Sequence, residues 1–298
     1  FLVGVAWAIV RRYVQRPYRI RIKSKPEHAW ILGTLFALGV TGFAAEMFRI
    51  AQEGMPDYER WSYVGYPLAT LVEGWSQSTL DTWHQWMWIA HVASFVLFLA
   101  ILPVTMLRHI FTSPLNMYLS DKERPKGAMR PMPNLEETEL ESFGASTVED
   151  FTWKHLLDFY SCTDCGRCSD ACPAYNTGTQ LSPRMISIKC RDLAYEKWPA
   201  FGSPPAETPA LLGVTIAPAE LWACTTCGAC EEACPVMIEY VDKIVDMRRF
   251  LVDEGRVPSG MQKALGKVEK RGNPYGKMGR KRGEWVSDEA GDCGVRLL

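Results

Sequence analysis

The sequence predicts a mainly α-helical protein in two parts: membrane-crossing helices first, then a helical cysteine-rich domain. Three observations carry that prediction. Residues 1–111 hold three apolar blocks. All ten cysteines lie after residue 160, and eight of them fall in two tight runs. No stretch alternates apolar and polar residues convincingly over the length of a strand. The 298 residues suffice for two domains, and a formal net charge of -1 gives no sign of a nucleic-acid partner.

The first block, FLVGVAWAIV, has ten residues. A span needs ~20, so the block reads as the second half of a helix whose start, with any earlier helices, precedes Phe1. It lacks the basic leader and small-residue cleavage site of a signal peptide. The C-terminal GDCGVRLL likewise reads as an internal stop. The second block, residues 29–50, has no charge before Glu46 and is long enough to cross a membrane. The third runs from about His84 to Phe111, with no Asp, Glu, Lys or Arg from Gln85 to Leu107. Pro103 inside it should kink the helix, which neighbouring helices can tolerate.

Loop charges set the orientation. Arg11, Arg12, Arg16, Arg19, Arg21, Lys23 and Lys25 separate the first two blocks. Glu53, Asp57, Glu59, Glu73 and Asp81, against a single Arg60, separate the second from the third. Arg108, Lys122, Arg124, Lys126 and Arg130 follow. Basic loops stay cytoplasmic, so the chain runs in, out, in across the inner (plasma) membrane. That places the cysteine domain in the cytoplasm, where thiols stay reduced. Trp83, Trp86 and Trp88 fall at the outer interface, as an aromatic belt would. Glu46 and Arg49, three apart, are expected to pair at the membrane surface, and His28 and His84 read as interfacial.

Residues 112–150, rich in proline and charge, read as a linker, and residues 151–298 as the cysteine domain. Helices are expected over VEDFTWKHLLDFY, SPRMISIKCRDLAYEKW and VMIEYVDKIVDMRRFLVDEG. The last has an apolar stripe, Ile238, Val241, Ile244, Val245, Leu251 and Val252, which Arg248 interrupts and Gly255 ends. From Lys263 to Arg282 a basic stretch reads as a solvated tail containing the turn signal RGNPYG.

The chemistry sits in the cysteines. Cys162, Cys165, Cys168 and Cys172 are followed by Pro173, and Cys224, Cys227, Cys230 and Cys234 by Pro235, with the same C-x2-C-x2-C-x3-C-P spacing. That is the bacterial ferredoxin pattern for two 4Fe–4S clusters, in which the fourth cysteine of each run ligates the other cluster. Cys162, Cys165, Cys168 and Cys234 are therefore assigned to one cluster, and Cys224, Cys227, Cys230 and Cys172 to the other. Gly166 and Gly228 follow the second cysteine of each run, where backbone must approach the cluster. Structural zinc would use two CxxC pairs and leave the fourth cysteine and its proline unexplained. Cys190, between the runs, reads as a small core residue, His155 as a surface or core residue, and Cys293 carries no usable signal.

His91 and His109 are 18 residues apart. On one helix that is about five turns and ~27 Å of rise, one histidine toward each leaflet of a ~30 Å core. Ionisable residues within a span are functional candidates. The pair either holds haem iron, with second axial histidines from neighbouring helices, or His109 simply marks the interface beside Arg108.

The membrane part, with His91 and His109 followed by IFTSPLNMYL, resembles the last helices of the nitrate reductase gamma subunit, a dihaem cytochrome b. The soluble part, with CPAYNTGTQLSPRM and RGNPYG, resembles the iron–sulfur domain of heterodisulfide reductase-like proteins. The fused order looks most like the membrane-bound electron-transfer-flavoprotein:menaquinone oxidoreductases of bacteria. The resemblance implies a dihaem cytochrome b-like bundle joined to a two-cluster ferredoxin-like domain. Electrons would enter from reduced electron-transfer flavoprotein, fed by acyl-CoA oxidation. They would pass through both clusters to b-type haem at His109, then at His91, and on to the quinone pool. It also implies that the other axial histidines lie on an earlier helix, ahead of Phe1, and that the family continues into CCG domains. No side chain reads as a general acid or base; the residues position cofactors. Two rivals remain. One is a heterodisulfide reductase-like protein coupling quinone to a thiol–disulfide couple. The other is a non-redox membrane anchor with structural zinc.

Overall fold

The computed structural model describes residues 1–17, 25–125, 128–132, 134, 137–138, 143–199, 202–279 and 281. Among these the chain is mainly α, as the sequence predicts, with one isolated bridge, Leu212 to Ile216, as the only β pairing. Cys293 and the end of the basic stretch lie outside the described residues.

Helix α1 (Leu2–Ile9) runs on as a π-helical stretch, Val10–Gln15, and ends at Arg16 in the left-handed region, φ 46°. Helix α2 (Glu27–Gln52) starts behind Pro26 with Glu27 in its first turn, where a negative charge suits the helix dipole. Its Thr34 and Thr41 hydroxyls donate back to the Trp30 and Ala37 carbonyls at 2.7 and 2.6 Å. That satisfies two hydroxyls within an apolar helix. After the short α3 (Gly65–Ala69), α4 (Gln77–Ile101) begins at Ser76, whose side chain accepts from the Thr79 amide. Helices α2 and α4 are both long and apolar enough to cross a membrane.

The two pack against each other along their lengths. On α4 the half-buried positions are His84, Met87, Ala90, His91, Ser94, Phe98 and Ile101, at helical spacing. The rest of that helix leaves Val92, Phe95, Val96, Leu97 and Leu99 exposed. A continuous apolar surface of this kind suits lipid or further helices rather than water.

The third apolar block is not one helix. It stops at Ile101; Thr105 then caps a 3-10 turn, Met106–Arg108, which leads into α5 (His109–Tyr118). Pro103 has no N–H for the ladder and its ring crowds the preceding turn, and Thr105 in extended geometry starts a new helix. The expected kink is thus a break, and His91 and His109 lie on different helices. The five-turn spacing, which requires one helix, does not apply to them.

Helix α5 begins the stretch read as a linker, yet it is docked. Thr112 Oγ1 and Ser113 Oγ donate to the Tyr160 and Ser161 carbonyls at 3.0 and 2.8 Å. Further along, Gly144 (φ 93°) lies so close to the Asp246 carbonyl that a Cβ would meet it at 2.1 Å, and only glycine fits. The cysteine domain then folds as short helices: α6 (Trp153–Ser161), α7 (Arg167–Ala171), α8 (Pro173–Asn176), α9 (Pro183–Lys197), α10 (Pro218–Trp222), α11 (Ala229–Glu232), α12 (Tyr240–Asp253) and α13 (Ser259–Arg271). Phe159, Ile186, Cys190, Leu221, Ile244 and Met247 sit in its core. Helix α12 ends as expected at Gly255 (φ 66°), where the Arg256 amide returns to the Leu251 carbonyl. The basic stretch is solvated as expected, with no buried residue in its helical part, but it is not an unstructured tail. Its start belongs to α13, and only then comes the RGNPYG turn, closed by Asn273 Oδ1 accepting from the Lys277 amide at 3.1 Å.

Candidate metal centres

The two cysteine runs share one backbone shape. The residue before the second cysteine and the glycine after it are both left-handed: Asp164 (57°) and Gly166 (85°) in the first run, Thr226 (54°) and Gly228 (74°) in the second. Gly166 and Gly228 then start α7 and α11, which carry the third cysteines. Turns of this kind present successive N–H groups on one concave side, which suits an anionic cluster. Holding Asp164 and Thr226 in that region costs ~1–3 kcal/mol each. The Arg184 guanidinium pairs with the Asp164 carboxylate and helps to hold the first turn.

At the first site Cys162, Cys165 and Cys168 line a small cavity together with Cys234 from the other run. The Tyr240 hydroxyl donates to the Cys168 sulfur, and the Ile238 amide donates to Cys234 Sγ at 3.4 Å. Burial pushes the Cys162 thiol up to about 12 and Cys168 up to about 11. Metal ligation needs thiolates, so a cation must offset what burial costs them.

At the second site Cys224 packs against the core cluster that contains Cys172. Burial pushes Cys224 up, and the Cys172 and Cys227 charges add to it. Burial raises Cys230 too, with Cys224 and Cys172 among its charged neighbours. The Thr226 amide donates to Cys224 Sγ at 3.4 Å. Arg248, which seemed to spoil the apolar stripe of α12, has a role here. Its Nε donates to the Leu221 carbonyl at 3.0 Å, another guanidinium nitrogen reaches the Cys224 carbonyl, and the group lies 5.1 Å from the Trp222 ring centre. It fastens the end of α10, the start of the second run, onto α12.

A buried ionic group not legible in the sequence supports the first site. Asp158, fully buried on α6, accepts from Lys154 at 2.7 Å, from Lys243, and from the Glu239 amide at 3.2 Å. Burial works against its charge, but the two lysines outweigh that and leave the carboxyl below its usual range. Asn116 of α5 accepts from Lys154 at 2.8 Å and donates to the Val236 carbonyl at 2.9 Å. The chain before Cys162 and the chain after Cys234 are thereby fixed to each other. The Lys154–Asp158 spacing of four on a helix was the only hint.

The histidines divide. His91 lies against α2, where a Cβ on Gly42 would come within 3.2 Å of its ring. Its Nδ1 is 3.2 Å from Thr41 Oγ1. That hydroxyl already donates to Ala37, so it accepts from His91 Nδ1–H and leaves Nε2 with its lone pair. His109 Nδ1 is 2.5 Å from the Met106 carbonyl, an acceptor only, so its Nε2 is likewise left as the acceptor. This is the tautomer and orientation that ligating histidines commonly have. His28, at the start of α2, is buried against the Lys25 backbone, and His84 is half-buried toward α2. Glu46 and Arg49 do not pair as expected. Arg49 bonds Glu59 at 2.7 Å and Glu53 at 3.1 Å, and Glu46 accepts from Ser62 at 2.6 Å.

His155 is a core residue, 1% exposed, and neither ring nitrogen has a hydrogen-bond partner among the described residues. Burial, with the Lys243 and Arg130 charges, pushes it down to about 2. Its ring comes within 4.8 Å of Glu239 and Asp242 carboxylate oxygens, but Arg124 and Arg130 already neutralise both acids. Cys190 is fully buried, and burial pushes it up to about 12, as suits an inert core thiol.

Residues 158–238 match the family model of the 4Fe-4S dicluster domain. This part of the chain is an iron–sulfur domain. The whole chain is 36% identical to the "EtfAB:quinone oxidoreductase" of Syntrophomonas wolfei, aligning over 100% of its own length and 45% of that protein's. It is 32% identical to the "Probable iron-sulfur-binding oxidoreductase FadF" of Bacillus subtilis, over 99% of this chain and 46% of that one. Identity to one of the polypeptides of the dihydromethanophenazine:CoB--CoM heterodisulfide reductase of Methanosarcina mazei is 31%, over 47% of this chain and 35% of that protein. The chain thus spans less than half the length of these curated relatives. No solved structure matches it.

Proposed function

We propose that this chain is the electron-carrying part of a membrane oxidoreductase. In this reading it takes electrons from a soluble donor on the cytoplasmic side and delivers them to quinone. The observation that carries the reading is the meeting of Cys162, Cys165, Cys168 and Cys234 around one cavity, next to a second loop of the same backbone shape. Crossed ligation of two 4Fe–4S clusters accounts for that meeting; zinc held by each run alone does not. Such clusters supply one-electron transfer. The protein's part is to bury them, to aim N–H and O–H groups at their sulfurs, and to fix their distance from the membrane helices.

The full-length relatives support electron-transfer flavoprotein as the donor and quinone as the acceptor, since one is named for both. The free Nε2 of His91 and of His109 supports b-type haem between clusters and quinone. Thr41 and the Met106 carbonyl set the tautomers, and Gly42 leaves room for the His91 ring. The heterodisulfide reductase reading is favoured by one observation, the similarity of about half of the chain to a polypeptide of that enzyme. The similarity across the whole chain favours the first.

The test is iron and zinc analysis of the detergent-purified protein with a reduced-minus-oxidised spectrum. Broad iron–sulfur bleaching with sharp b-haem bands is expected, together with reduction by electron-transfer flavoprotein. Zinc without iron would rule the reading out. Iron–sulfur bleaching without haem bands would remove His91 and His109 from it. A protein that exchanges electrons with a thiol–disulfide couple and not with flavoprotein would select the rival.

A further inference from the structure

The two cluster sites do not stand equally to the membrane helices. Helix α5 leaves the end of the apolar region and lies on α6, the helix that ends at Cys162. Its hydrogen bonds reach Tyr160, Ser161 and Lys154 before Cys162, and Val236 just after Cys234. Both chain segments that build the first site are thus held by the helix that begins with His109.

A second connection runs through α9. The Arg108 guanidinium, next to His109, lies 4.0 Å from the Tyr195 ring centre and 5.2 Å from that of Tyr160. The two tyrosine rings stack at 5.3 Å. Arg191, one turn before Tyr195 and 4% exposed, sits 5.9 Å from the same ring and close enough to Cys162 for its charge to act on the sulfur. Arg191 also pairs with Asp192, which meets Lys25 from the loop between α1 and α2 at 2.9 Å. The second site has a cation too: the charge of Arg248 acts on Cys224 as that of Arg191 does on Cys162. The hydrogen bonds and ring contact of Arg248, however, fasten α10 to α12 within the cysteine domain and reach neither α5 nor Arg108.

The geometry points to the first site, Cys162 with Cys165, Cys168 and Cys234, as the membrane-proximal one, with Arg191 as its positioning residue. Arg191 joins it to the membrane half through the Arg108–Tyr195 stack, and its buried charge would favour an added electron there, as the Arg248 charge would at the second site. The second site then lies on the donor side. This order rests on the two-cluster reading given above. A buried cation beside a cluster sulfur raises the reduction potential, one of the levers by which proteins set it.

The test uses the full chain in detergent or native membranes, with redox titration followed by paramagnetic resonance. Cys165→Ser identifies the first-site signal and Cys227→Ser the second. Arg191→Leu is expected to lower the first-site midpoint and leave the second in place, with Arg191→Lys recovering most of the shift. If Arg191→Leu does not retain its clusters, Arg191→Lys carries the same comparison through a smaller shift confined to the first-site signal. Tyr195→Leu keeps the Arg191 charge. It should leave both midpoints unchanged, raise hydrogen exchange in residues 106–118, and slow quinone reduction at least tenfold. An unmoved first-site midpoint, a shift in the second-site signal, or unchanged exchange with Tyr195→Leu overturns the assignment. A wild-type protein without two cluster signals defeats the two-cluster reading instead, and that result is separate from these.

Discussion

The two cysteine runs have the same spacing, the same pair of left-handed residues and the same following proline, yet their surroundings differ. The first is backed by a buried ionic group around Asp158, carries the Tyr240 hydroxyl on Cys168, and is clamped by α5. The second is fastened by the guanidinium of Arg248 on backbone carbonyls and the Trp222 ring. Spacing and turn geometry decide what a loop can ligate. What lies behind the loop decides how firmly the site is held and how readily it accepts an electron. Two equivalent motifs become two unequal sites.

The largest expected effect tests the crossing itself. Cys234→Ser should remove the same cluster signal as Cys165→Ser, and iron should fall from about eight to about four per chain. Loss of the signal tied to Cys227 instead would break the crossed assignment. Next comes the support. Asp158→Asn leaves Lys154 and Lys243 buried without their carboxylate and should cost about 3–5 kcal/mol, read as a lowered denaturation midpoint, with the first-site cluster lost first. Equal loss of both clusters would erase the distinction drawn between their supports.

Acid should separate the sites further. The folded pKa of His155, about 2, lies far below the unfolded value. Its contribution to stability is therefore full above pH ~6.5 and declines as the pH falls below that. From this group alone the protein should be about 2 kcal/mol less stable at pH 5 than at pH 7. Asp158, with a depressed pKa, adds a loss that begins only near pH 4 and grows as the pH falls further. His155→Phe should flatten the slope between pH 6.5 and 5, and an unchanged slope would remove His155 from the account. The smallest effect is the sharpest test of asymmetry. Tyr240→Phe removes one O–H to sulfur bond, worth about 1 kcal/mol, and should lower the first-site midpoint by tens of millivolts. The second-site midpoint should stay in place.

Much of this was legible beforehand because it depends on local rules. Helical periodicity gave α9 and α12 to within a few residues, Gly255 gave the end of α12, and C-x2-C-x2-C-x3-C-P marked both loops. The third apolar block misled. Hydropathy says that a segment is apolar, not that its hydrogen-bond ladder is unbroken, and Thr105 could be recognised as a new cap only once Pro103 had stopped α4. Arg248 misled for a related reason: a charge on an apolar stripe looks like an imperfection until the carbonyls it meets are known.

By itself the sequence determined the helical class, the two long apolar helices and the eight thiols in two runs, since each follows from residue type and spacing along the chain. The same spacing already assigned Cys234 to the first run, where the cavity brings it. Only the tertiary structure decided that Asp158 is held between two lysines from different helices, and that α5 and Arg108 lean on the first site rather than the second. Apart from Lys154 with Asp158, those contacts join residues dozens of positions apart. Their energies depend on burial and direction, which do not exist until the chain has closed on itself.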